Sequence, residues 1–539
     1  MELPNMRYAD KISKSKQIRF RGLNHTLGAG DGDIWDMRNM TSDHTPVLSS
    51  RPRRWLYRKL ENPGGIFSLK GLCWVDGESF FYKGEKKGTV TPGKKSFCAV
   101  REYIIILPDK VCYNLQTDSF HSMESRWAGE SLTFGNGLLY EEEADANCIS
   151  CEGVSWSEWF REGDAVTISG CTEFPENNQT SIIRQIDGDK LYFYENIFKL
   201  KENAQYTETG EMKLERTVPD VQDMFENENR LWGRSGSTIY ASKPNDIYNW
   251  NVYDGLDSDA WAVTAGAAGD LTGSIAYRGY PIFFQEERIY KVYGSLPSEF
   301  DILGSASLGI PPGCGDSLAI AGETLFYLGR NGIMAYTGGI PQLISRNLGN
   351  GRFNSGVAGS DGMKYYISMA DEDGSWGLYV YDTQRGVWHR EDDSRITHFT
   401  KCDGNLYGLN DRGEIWIYST GGTVPEGCTQ EDPVEWMTEF ADFTDSSPNK
   451  KGIGKVQVRL ELEDKATAQV EIQFDSDGVW QNVGMKMGGG AKRSYYLPIV
   501  PRRCDHCRIR ISGVGGFQLY SMVRELYTGS ELKSTYGRN

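Results

Sequence analysis

The sequence predicts an all-β protein: a β-propeller of about six or seven blades, interrupted by a small β-barrel or sandwich and followed by a C-terminal β-sandwich. Three observations predict it. One two-strand pattern is written five times between Val221 and Tyr418. The 62 glycines, with 29 tyrosines and 14 tryptophans, suit many short strands joined by tight turns, and few stretches carry a helical period. The C-terminal portion alternates apolar and polar residues with period two.

Each copy of the repeat has a turn with Gly or Asn, an apolar strand, a second turn and a strand ending on an aromatic. The copies are marked by Leu231, Ile282, Leu325, Tyr365 and Leu406 and close on Tyr240, Tyr290, Tyr336, Tyr381 and Tyr418. Intervals of roughly 40 to 50 residues made of short strands are the signature of propeller blades. Two further copies lie upstream, Leu72–Tyr82 and Phe97–Asn114. The step from Tyr103 to Leu231 spans about three periods, which places an inserted domain at 124–216.

Taken in order, residues 1–17 are polar and charged, and a weakly ordered arm, or a segment ordered by a neighbour, is expected there. A lead-in with Gly28, Gly30 and Gly32 ends in Arg51, Arg53 and Arg54. In an acidic chain that cluster has two readings: pairing with acidic loops nearby, or contact with an acidic partner surface. The insertion has turn signals at Gly163-Asp164, reversed at Asp187-Gly188, with alternating strands between them, as in a compact antiparallel barrel. Gly421-Gly422-Thr423-Val424-Pro425 reads as a linker. Beyond it Lys455–Leu462, Gln469–Phe474 and Cys507–Ile511 alternate cleanly, as sandwich strands with one wet face do. The expected division is a lead-in over 1–54, propeller over 55–123, inserted β domain over 124–216, propeller again over 217–424 and sandwich over 425–539.

With 58 basic against 74 acidic residues the net charge is −16, which excludes an ordinary phosphate-gripping nucleic-acid binder. It permits a surface along which DNA passes without sticking. No apolar run is long enough to cross a membrane as a helix, and the N-terminal residues lack the layout of a secretory signal, so synthesis in a cytoplasm is expected. Eleven cysteines, scattered among apolar neighbours, fit reduced buried thiols.

Motifs that carry chemistry are weak. Cys504-Asp505-His506-Cys507 has a metal-ligand look, but it enters a strand whose alternation points Cys504 and His506 away from Cys507, and a second ligand pair is missing. Cys148-Ile149-Ser150-Cys151 lies in a different domain. Asp475-Ser476-Asp477-Gly478 and Asp254–Asp259 resemble the start of calcium loops without the later Glu, and read as turns. No nucleophile or phosphate-loop motif is present, so no catalytic, cofactor or metal residue is assigned. Strand-ending aromatics are expected to fill the space between blades. Loop aromatics, with Trp250 and Trp261 foremost beside Tyr248 and Tyr253, are candidates for contact with sugars or a protein partner.

Several phrases are similar to those of one family. They are the lead-in ending Arg51-Pro52-Arg53, Phe225–Gly233, Phe283–Tyr290, and Ser242-x-Pro244-x-Asp246 followed by Asn249-Trp250. The stretches Lys450–Val456 and Pro501–Asp505 belong with them. Together they resemble the propeller-bearing tail tube, nozzle or tail-stabilisation proteins of tailed bacteriophages. The resemblance implies a virion structural protein, made in the bacterial cytoplasm and assembled as a ring of about six copies. Its implied partners are the portal or adaptor and other tail proteins, with DNA passing through unbound. Two other readings are a phage protein that recognises host-surface glycans and a propeller polysaccharide hydrolase.

Overall fold

The computed structural model describes residues 11–26, 30–139, 142–194, 197–201, 205–253, 255–349, 351–444, 450–500 and 502–528. They form two compact units, 61–315 and a second made of 1–60 with 316–539. Both are built almost wholly of antiparallel strands. Seven sheets among the described residues have the up-and-down order of a propeller blade, six of them four-stranded and one five-stranded, and each contains one copy of the sequence repeat. The fold is a β-propeller with an inserted barrel and a C-terminal sandwich.

The unit 61–315 holds four of the blade sheets. Their second strands are largely buried, and Tyr103–Leu107 and Tyr280–Gln285 are apolar over most of their length. A strand covered on both faces needs this composition, since alternate residues have no water to face. First strands of successive sheets lie against one another, Ser96–Val100 on Asp223–Asn227 and the latter on Gly273–Tyr277, so the first strand is the inner one. The turn to the second strand uses two successive left-handed residues: Glu228 and Asn229 (φ 52° and 63°), Arg278 and Gly279 (52° and 78°). This is the geometry that matches a hairpin to strand twist.

The insertion is a closed six-stranded barrel from Ser125 to Arg216. Trp127, Phe134, Trp156 and Phe160 fill it, with the Trp127 and Trp156 rings edge-on at 4.9 Å. It is fastened to the neighbouring blades by the Ser242–Trp250 loop. Asn249 accepts a hydrogen bond from the Ala165 amide at 2.8 Å and donates to the Gly163 carbonyl at 3.2 Å.

In the other unit the remaining three blade sheets begin at Ala319, Phe353 and Ile396. The last takes its fourth strand from the residues just after the lead-in, within the stretch expected to be propeller: Trp55–Lys59 pairs with Glu414–Ile417. The sandwich sheets are completed by the lead-in itself. Lys11–Gln17 pairs with Met522–Thr528, Asp36–Arg38 with Met437–Glu439, and Leu48 and Ser49 with Leu519 and Gln518. The expected arm is thus corrected over 11–17, which is a strand, while residues 1–10 and Gly28 lie outside the described residues. The reason is an open sheet edge: the strand stays mostly exposed, with Ile12 57 % exposed, but its backbone pairs along Met522–Thr528, whereas farther along the lead-in Ile34, Met37 and Met40 are at most 1 % exposed. Between the sheets Trp436 stacks on Phe517 at 3.9 Å, and Ile509, Ile511, Val458 and Leu460 complete the core.

Candidate binding cleft

Because strands alternate in direction, turns between second and third strands emerge at the same end of a blade as connections leading to the next blade. In the unit containing 316–539 that end carries a cleft of about 960 Å³, bordered by the turn at Gly374–Trp376, the connection Asp392–Arg395 and the turn at Asn410–Arg412. Arg38 and Arg54 of the lead-in, Trp416, Tyr418 and Glu431 complete its lining. Each loop is shaped by an Asp or Asn that accepts hydrogen bonds from its own backbone. Asp371 takes the amides of Asp373 and Ser375, Asp392 that of Ser394, and Asn410 those of Arg412 and Glu414, all at 2.8–3.0 Å.

The charged side chains are largely held by one another. Asp393 accepts from Arg38 at 2.9 Å and from Arg390. Arg54, 5 % exposed, pairs with Glu391 and Asp392, and its guanidinium lies 4.1 Å over the Tyr418 ring. Although burial opposes ionisation, the Arg54 charge and the Ser394 amide bring Asp392 down to about 2. Glu414 accepts from Asn410 at 2.9 Å and from the Trp416 indole at 3.1 Å, which outweighs its own desolvation and lowers its pKa. Arg395 lies 4.8 Å over Trp376, and neither it nor Arg412 forms an ion pair among the described residues. Both are exposed.

The candidates named from sequence fall differently. Arg51 grips Glu431 bidentately at 2.7 and 2.9 Å and donates to Asn39 at 2.7 Å, so with Arg54 it is turned inward onto acids. Only Arg53 of the three is exposed, with its guanidinium on the Glu431 carbonyl. Trp250 is 1 % exposed, packed in the core with Ile105 and Leu231 and bonded through its indole to the Ile247 carbonyl at 3.0 Å; it presents nothing to a partner. Trp261 is half-buried against Trp232 and Phe300 at 5.9 and 5.3 Å. Trp250 and Trp261 are filling residues, the first on a loop folded back onto the blades and the second opening the strand Trp261–Thr264, whereas Tyr253 is 56 % exposed. Trp376, Arg395 and Arg412 carry no motif in the sequence, and Trp416 is among the strand-ending aromatics expected to fill the space between blades. The signal for them is the pair of turns Asp371–Gly374 and Asn410–Gly413, which recur at the same place in successive repeats.

Other constellations resolve as structure. Arg503–Cys504 pairs with Lys451–Gly452 in one sandwich sheet, whereas Cys507 opens a strand of the other. Asp505-His506 is therefore the crossing between sheets, and both sulfurs face inward at 0 % exposure, contrary to the alternation expected for Cys504. Burial raises both thiols, Cys504 to about 11. Asp475 takes the Asp505 amide at 2.6 Å, and Asp477 the Val479 amide at 3.0 Å, as turn residues do. Asp259 takes the Leu256 amide at 2.9 Å; Asp254 lies outside the described residues. In the 61–315 unit the Cys112 sulfur is 3.3 Å from His121, which bonds the Tyr248 hydroxyl at 2.7 Å. Burial raises the Cys112 thiol to about 12 and lowers His121, so both stay neutral rather than forming a thiolate–imidazolium pair. Among the described residues no cluster of three His, Cys, Asp or Glu is placed to hold a metal ion, and no helix is long and apolar enough to cross a membrane.

No family model matches the chain, and no curated protein matches it. Among solved structures it is similar to BamB from Moraxella catarrhalis, at 10% identity over 68% of this chain and 98% of that one, with a TM-score of 0.32. The WD40 repeats of RRP9 match at 8% identity over 71% and 99%, TM-score 0.35. The Trypanosoma rangeli sialidase in complex with the inhibitor DANA matches at 8% identity over 96% of both chains, TM-score 0.22.

Proposed function

We propose that the protein is a structural component of a bacteriophage tail, a nozzle or tail-tube ring subunit in the DNA ejection conduit below the portal or adaptor. The observation that carries the reading is the way the lead-in is woven through the unit it shares with 316–539. One N-terminal segment supplies the closing strand of a blade sheet and strands to both sandwich sheets. Neither sheet system opens without breaking ladders between residues hundreds of positions apart. Such a body is rigid, as a part of a conduit under load must be, and its flanks suit packing in a closed ring of about six copies.

The phrase behind the family resemblance has a mechanical role that fits. Ser242–Trp250 is the loop that fastens the barrel through Asn249. A net charge of −16 favours passage of DNA phosphates without adhesion. The reading assigns the protein to the virion, with portal or adaptor and other tail proteins as partners, and gives it no catalytic step. The test is quantitative mass spectrometry of purified particles. About six copies against a portal ring of about twelve is the expected result; absence from particles refutes the assignment, and larger multiples of three point to a fibre.

A further inference from the structure

We propose that the cleft on the 316–539 unit is a binding site for an oligosaccharide. It does not rest on the tail assignment. At about 960 Å³ the cleft stands at the upper end of the roughly 300–1,000 Å³ usual for ligand sites, room for several sugar rings rather than one. Two partly exposed tryptophans border it, Trp376 and Trp416, one from each of two successive blades. The apolar C–H faces of a pyranose pack well on an indole, whose π face is weakly negative.

The polar lining decides between sugar and nucleic acid. Five arginines and five carboxylates line the cleft, so its own charge balances. Sugar hydroxyls both donate and accept, and a vicinal pair spans either a guanidinium or a carboxylate with two hydrogen bonds. A lining of mixed sign satisfies both directions. A phosphodiester backbone offers acceptors only, and it calls for a surplus of cations that this lining lacks. The buried pairs of Arg54 with Glu391 and Asp392 fix the floor, while Arg38 and Arg390 are tied to the exposed Asp393. Arg395, Arg412 and Asp411 are exposed, have no ion pair among the described residues, and are the groups left to meet a ligand.

The same chemistry continues next door. A hollow of about 380 Å³ on the outer face of a sandwich sheet is lined by Trp35, Trp480, Arg508, Arg510, Asp36 and Glu439, with His25 beside Trp35. Arg510 lies 4.0 Å over Trp480 and holds Glu439 at 3.0 Å. The short strand Asp36–Arg38 gives Asp36 to this hollow and Arg38 to the cleft. Two such stations beside one strand suit a chain of sugars.

The experiment is isothermal titration of the full chain with maltohexaose, cellohexaose, N-acetylchitohexaose and an oligogalacturonate of six units, with single-stranded oligothymidylate as the nucleic-acid arm. Trp376→Ala and Arg412→Gln are run beside the parent, each checked for an unchanged unfolding midpoint. Binding of at least one saccharide, weakened roughly tenfold or more by each variant, is the expected outcome. Silence with all four saccharides at millimolar concentration overturns the proposal. So does saccharide binding that neither variant weakens, and so does oligothymidylate binding that both variants abolish while saccharides remain silent.

Discussion

Replacing His389 by Leu should remove a defined part of the acid sensitivity of the unit that contains it. His389 is 3 % exposed on the strand Val387–Arg390, beneath the lead-in residues Met40, Ser42 and Thr45. Neither ring nitrogen has a hydrogen-bond partner among the described residues. Burial, with the Lys364 ammonium adding to it, depresses the imidazole from 6.5 to about 3 against the opposing charges of Asp43 and Asp382. A folded pKa below the unfolded one means that the unfolded chain takes up the proton first. Stability is therefore full above 6.5 and drains as the pH falls towards 3. At about pH 5 the unfolded imidazole is roughly thirtyfold protonated over neutral while the folded one is still neutral, a loss of about 2 kcal/mol. The variant lacks this term, and at neutral pH it is at least as stable as the parent, because it deletes two buried nitrogens that nothing satisfies. The assay is urea unfolding of both proteins at about pH 7 and pH 5, read on the transition of this unit, since a chain of two compact units has no single unfolding free energy. The difference between parent and variant should shift by about 2 kcal/mol in the variant's favour at the lower pH. Parallel responses of the two proteins would refute the reasoning.

Three other outcomes are expected. Asn249→Ala leaves the Ala165 amide without its acceptor and costs about 1–3 kcal/mol of local stability; hydrogen exchange at Ala165 should accelerate while the blade strand Tyr103–Leu107 is unaffected. Trp250→Ala empties a core site and should cost about 3–5 kcal/mol, seen as a lower thermal midpoint; a change under about 1 kcal/mol would return Trp250 to the list of surface contacts. Cys504 and Cys507, both at 0 % exposure with raised thiols, should resist iodoacetamide at about pH 8 in the native protein and react after urea unfolding. Equal labelling in both states would contradict the inward placement of the sulfurs.

Some of the architecture is local information and was readable as such. The blade repeat is a pattern of turn, apolar strand and aromatic, and its seven copies correspond to seven blade sheets, six four-stranded and one five-stranded. The barrel, Ser125–Arg216, lies within the span marked out by the break in period and the Gly/Asp turns. The alternating strands Lys455–Leu462 and Cys507–Ile511 are sandwich strands with their apolar residues inside. Turn chemistry and periodicity are written over a few residues, so the chain alone determines them.

What it leaves open is partnership across distance. Arg51 meets Glu431 and Arg54 meets Glu391, 380 and 337 positions away. Local pattern says that such arginines pair with some acid, but which acid follows only from where the strands close. Residues 11–17 are polar enough to pass for an arm; their place in the sandwich, like the pairing of Trp55–Lys59 in the last blade, depends on open edges built by residues past 400. Trp250 and Trp376 are alike as letters, yet one fills a core and the other borders a cleft. Burial is a property of the surroundings, and the surroundings of both are assembled from segments that have no trace in the residues next to them. Blades, barrel and sandwich strands are thus written in local pattern. The closing strands, the ion pairs and the cleft were decided by tertiary structure, because each depends on long-range closure of the sheets.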